Sequence, residues 1–155
     1  MQRFLKYWLP ILLWLGVIFV GSTDLMSAEH TSRFIVPFLQ WLKPDISPEM
    51  LASIHFMIRK SAHLGEYAIL ALLLFRAVTS VTHRKWPMSI LNVGVWVACL
   101  FVAATDEFHQ TFVQSRGAAV RDVMIDSCGA LLGLLIGASL GMGRSTTIKK
   151  TSAEP

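Results

Sequence analysis

Three short stretches of this 155-residue chain bring together side chains that can do chemistry. They are Lys60, His63, Glu66 and Tyr67; then Asp106, Glu107, His109 and Gln110; then Arg116, Arg121, Asp122 and Asp126. An imidazole beside a carboxylate is the pair that general acid–base catalysis uses, so His63 or His109 could serve as base, positioned by Glu66 or Asp106. Arg116 could then stabilise a developing anion. The same His and carboxylate groups offer the nitrogen and oxygen donors a divalent metal accepts. Lys60, Arg116 and Arg121 could instead hold an anionic headgroup by charge-assisted hydrogen bonds. At 100° per residue, Lys60, His63 and Tyr67 fall within about 60° of one another, with Glu66 about 60° farther round. Asp106, His109 and Gln110 share a face at i, i+3 and i+4 spacing, Glu107 is in reach of Gln110, and Asp122 and Asp126 are one turn apart.

The elements that must position these groups are unusually apolar. Of all residues 54% are apolar and 15% charged, and mean hydropathy is +0.54. Soluble domains hold roughly 45–50% and about 25%, so the excess is expected to be buried in lipid. A span needs about 20 residues, and four fit: residues 7–23, 61–82, 86–105 and 123–142. The first follows Arg3 and Lys6 as a signal peptide would, but its apolar run exceeds the roughly 7–15 residues of a signal core, which favours retention. So little chain is left between spans that a large catalytic ectodomain is excluded.

The net charge of +4 is not gathered into the basic block or stripe that nucleic acid requires. It reads as membrane topology. Segments 1–6, 83–86 and 144–155 hold seven Lys/Arg in 22 residues, against six in the 54 residues of 24–60 and 106–122. By the positive-inside rule both termini face the cytoplasm. Cys99 and Cys128 lie inside apolar segments and suggest neither a disulfide framework nor a metal cluster.

In the first outer loop Phe34, Ile35, Phe38, Trp41 and Leu42 recur at helical spacing, which predicts an amphipathic helix lying on the bilayer. Ser47 caps the next helix, with Pro48 and Glu49 in its first turn, and that helix leads directly into the second span. The tail 144–155 reads as a disordered cytoplasmic end.

Ionisable groups in a span cost about 2.5–3.5 kcal/mol each at its centre. Under this topology all three polar groups sit at one depth near the outer boundary, where acids and bases can neutralise each other in a common pocket. Gly129, Gly133, Gly137 and Gly141 recur every fourth residue and continue the line of Asp122 and Asp126. Such a stripe permits close backbone approach, read first as packing within the chain and second as a homodimer seam. Asn92, Cys99 and Arg76 are too few in the inner half for a proton relay, and Arg76 reads as a snorkelling cation.

Arg59-Lys60-Ser61-Ala62-His63-Leu64-Gly65-Glu66-Tyr67, Thr105-Asp106-Glu107-Phe108-His109-Gln110, Ser115-Arg116-Gly117 and Arg121-Asp122 through Asp126 to the glycines together resemble the VanZ-like family of small bacterial membrane proteins. The likeness runs from about Met1 to Gly141. It departs at Ser127-Cys128, where an Asn-like position is expected. The resemblance implies an all-α bundle of four transmembrane helices over residues 1–143, set in the bacterial cytoplasmic membrane, and a link to the cell envelope and to resistance against the glycopeptide teicoplanin.

Two functions follow as expectations. In one, the outer pocket binds membrane lipid or a lipid-linked envelope precursor without turnover, using Lys60, Tyr67, Glu107, Gln110, Arg116, Arg121, Asp122 and Asp126. In the other, a membrane-embedded hydrolase or transferase works through His63, Glu66, Asp106 and His109. No sequence motif calls for a cofactor: P-loop, zincin, nucleophile-elbow and dinucleotide signatures are lacking.

Overall fold

The computed structural model describes residues 2–23, 28–82, 86–113 and 119–141. They form five helices: α1 Gln2–Ser22, α2 Ala28–Leu42, α3 Pro48–Thr82, α4 Met88–Gln110 and α5 Val120–Ser139. The fold is all-α, and α1, α3, α4 and α5 are each long and apolar enough to cross a membrane. Their outward faces carry Phe101, Leu135 and other large apolar side chains in the open, as a bundle solvated by lipid requires. The tail 144–155 lies outside the described residues.

Helix boundaries follow local chemistry. Ser47 caps α3 as expected: its Oγ accepts from the Met50 amide at 3.3 Å. α3 then runs unbroken for 35 residues, about 52 Å at 1.5 Å per residue, against a hydrocarbon core of about 30 Å. One end of it therefore stands outside the core. α4 begins at Met88 rather than at residue 86, because Pro87 sits at its N-cap with no amide hydrogen to give. It also continues past residue 105 through the charged Asp106–Gln110 stretch. α5 starts at Val120 and stops at Ser139, short of residue 142. Gly141 adopts φ 66°, the left-handed conformation that ends helices, and its amide reaches the Ala138 carbonyl at 3.1 Å.

α3 is the hub: it packs most heavily on α5 and also touches α1, α2 and α4. Tyr67, Leu70, Ala71 and Phe75 of α3 meet Val95, Cys99 and Ala103 of α4, Ala130 and Leu134 of α5, and Ile11 and Ile18 of α1. α2 contacts the rest only through α3 among the described residues. It leaves Phe34 74% and Trp41 78% exposed, the apolar stripe expected of a helix on a bilayer surface.

The glycine stripe works within the chain. A Cβ on Gly129 would collide with the Leu64 backbone carbonyl and one on Gly133 with that of Ala68. At Gly137 it would stand 3.3 Å from Leu72 Cδ2. Gly141 has the different task of ending α5. The face offered for a homodimer seam is thus occupied by α3.

Gly133→Ala is expected to lower stability by about 1–3 kcal/mol through overpacking. Gly94→Ala, with no neighbour within 4 Å of the added carbon, should be neutral or gain up to about 1 kcal/mol from helix propensity. Thermal unfolding of both variants in detergent micelles checks the contrast.

Candidate functional site

The three polar stretches converge on one end of the bundle. Lys60 of α3 forms an ion pair with Asp122 of α5. One turn on, His63 Nδ1–H donates to Asp126 Oδ1 at 3.1 Å. Asp126 is fully buried and lies in electrostatic range of Asp106 and Asp122 as well. Gln110 Nε2 donates to Asp106 Oδ2 at 3.0 Å across one turn of α4. Glu107 Oε2 accepts the Ala119 amide at 2.8 Å, fastening the end of α4 to the start of α5. Tyr67 is wholly buried among these groups, and its hydroxyl, Glu107 Oε1 and Asp126 Oδ2 have no hydrogen-bond partner among the described residues.

Two tryptophans brace the cluster. Trp14 Nε1 of α1 donates to the Glu66 carbonyl at 2.9 Å, and Trp96 Nε1 of α4 donates to Ser127 Oγ at 3.1 Å. The position that departs from the expected family pattern therefore ties α4 to α5, while the neighbouring Cys128 is exposed.

Beside the cluster lies a half-open cavity of about 660 Å³ lined by residues of α1, α2, α3 and α4. Its walls are largely apolar, with Ile18, Ile35, Phe56 and Ile58 among them. Polar groups enter from α3 and α4: His55, Arg59, His63, Glu66 and Asp106. Among the described residues no three His, Cys, Asp or Glu side chains are grouped as a metal site would need.

The partners differ from those the spacing suggested. His63 is oriented by Asp126 of another helix, not by Glu66. His109 is not oriented by Asp106: its Nδ1 lies 3.3 Å from Ser22 Oγ of α1, and its ring packs 4.9 Å from that of Phe19. Gln110 chooses Asp106 over Glu107, because Glu107 turns to the Ala119 amide. Lys60 is held by Asp122, and Arg121 is exposed, on a different face of α5 from the buried Asp122 and Asp126. Arg116 lies outside the described residues. Arg76 is exposed, with its guanidinium 5.4 Å from the centre of the Tyr7 ring. Ser22, His55 and Arg59 line the cavity without having been singled out as site residues. The i, i+4, i+8 spacing of 55, 59 and 63 was the available signal.

Removing Asp122 leaves a mostly buried Lys60 ammonium uncompensated. Asp122→Ala should cost about 3–5 kcal/mol, and adding Lys60→Met to it should recover most of that loss. A double-mutant cycle from unfolding in micelles measures the coupling.

The VanZ/LLP1 family model matches residues 7–141. No curated protein and no solved structure matches the chain. A match that runs from the first apolar helix through the polar cluster to the glycine ending α5 places this chain in the VanZ/LLP1 family.

Proposed function

We propose that this membrane protein belongs to the bacterial cell envelope and binds a lipid-linked or amphiphilic envelope ligand at the polar end of its bundle. In this reading residues 1–143 act as one domain in the cytoplasmic membrane, the tail 144–155 and both termini are cytoplasmic, and the cavity opens on the outer side. The observation that carries it is the cavity itself: apolar walls with a few polar groups at defined points are what a ligand with a tail and a headgroup requires. Occupation of the site by a lipid-linked precursor would limit access of a glycopeptide to its target and so contribute to teicoplanin resistance.

Ala62 lines the cavity and is exposed, so Ala62→Trp fills the space without disturbing the core. It should lower the lipid retained by the purified protein about tenfold, a change of about 1.4 kcal/mol. It should also remove any protection from teicoplanin that the wild type confers on a sensitive host. Equal lipid retention by both proteins would refute the reading.

A second reading, a membrane-embedded hydrolase or transferase acting on an envelope lipid, is favoured by one observation. Asp126 holds the Nδ1 hydrogen of His63, which leaves Nε2 as the basic nitrogen of a ring that lines the cavity. On that reading His63→Gln abolishes turnover of a lipid extract, and Asp126→Asn lowers it by about a hundredfold or more. Mass spectrometry of the extract before and after incubation reads the outcome.

A further inference from the structure

We propose that the cavity recognises the phosphate group of a membrane lipid, held by Arg59 and His55. Neither residue belongs to the ion-paired cluster. The inference rests on the amphiphile-binding reading and names the ligand's chemistry.

His55 and Arg59 stand one turn apart on α3, both line the cavity, and among the described residues neither His55 Nε2 nor Arg59 Nε, both buried, has a hydrogen-bond partner. A guanidinium with a buried, unanswered N–H is costly unless something supplies an acceptor. The acids of the cluster are committed elsewhere: Asp122 to Lys60, Asp126 to His63, Asp106 to Gln110. Glu66 lies about 10 Å farther along the helix. A ligand in the cavity can supply the acceptor that the described residues do not.

Geometry separates phosphate from carboxylate. Side chains one turn apart are about 5–6 Å from each other at Cβ. A planar carboxylate engaged by the guanidinium fork keeps its remaining lone pairs in the plane of that fork, a restricted approach for His55 one turn away. A tetrahedral phosphate has further oxygens pointing elsewhere and can satisfy both residues. Glu66 and Asp106 line the cavity beyond, so among its described lining residues the guanidinium of Arg59 is the group suited to an anion. Ile18, Ile35, Phe56 and Ile58 supply the apolar wall that an inorganic anion would not use and an acyl chain would.

The test uses the full-length protein in detergent micelles, with native mass spectrometry of added dioleoyl phosphatidic acid, dioleoylglycerol and oleate. Phosphatidic acid should be retained about tenfold or more tightly over dioleoylglycerol. Arg59→Gln and His55→Gln should each erase most of that preference while leaving dioleoylglycerol unchanged, and Arg59→Lys, which keeps the charge but loses the fork, should retain part of it. Arg59 Nε has no partner among the described residues, so Arg59→Gln should not lower the thermal midpoint of lipid-free protein, whereas a structural role would. Equal retention of phosphatidic acid and dioleoylglycerol, or of phosphatidic acid and oleate, overturns the phosphate assignment. Displacement of phosphatidic acid by millimolar inorganic phosphate overturns the lipid source. In either case loss of binding in Ala62→Trp would leave the cavity reading intact, while indifference of every lipid to Ala62→Trp would end that reading instead.

Discussion

The seating of α5 against α3 sets the geometry on which the rest depends. The two helices run parallel, and one continuous register links them: Lys60 with Asp122, His63 with Asp126, then the Leu64 and Ala68 backbones over Gly129 and Gly133. The glycines bring the backbones close, and only at that separation can short acids on α5 meet the basic groups of α3. Neither half of the arrangement suffices alone. In hydrocarbon, small residues supply close packing without a hydrophobic drive, while the charged pairs would be a liability if held apart.

The remaining helices close around this pair by satisfying polar atoms. Glu107 takes the amide at the start of α5, Trp96 reaches Ser127, and Trp14 reaches back from α1 to a carbonyl of α3. The indole is suited to this, with a large apolar body facing its neighbours and one N–H to place. The outcome is a polar interior at one end and an apolar one at the other, where Phe75 and Leu134 pack among small residues.

Much of this was legible in the sequence. Four apolar runs of membrane length, with their acids confined to particular ends, predict a bundle with its polar groups at common depth. Within each helix, the i, i+3 and i+4 rules also named the right faces. They could not name partners across helices, since those depend on the rotation and height of each helix. Hence spacing offers Glu66 or Asp106 as the partner of His63 or His109, whereas Asp126 holds His63 and Ser22 stands beside His109. Arg59, which enters only through the family-like stretch, and His55 do not read as site residues for a related reason. They precede the apolar run and look like the solvated start of a helix, whereas the fold sets them in one cavity lining with residues of α1 and α2. Pro87 and Gly141 displaced two helix ends through their own backbone chemistry, which outweighed hydropathy.

α2 completes the cavity in an unusual manner. One side of it gives Thr31, Ser32 and Ile35 to the enclosure, the other bears bare aromatic rings, and α3 is its sole support among the described residues. The helix that borders the ligand space is thus also the one that presents Phe34, Phe38 and Trp41 outward. An element of that kind rests in the interfacial layer of a bilayer, which sets the cavity at the depth where lipid headgroups and the first carbons of their chains meet.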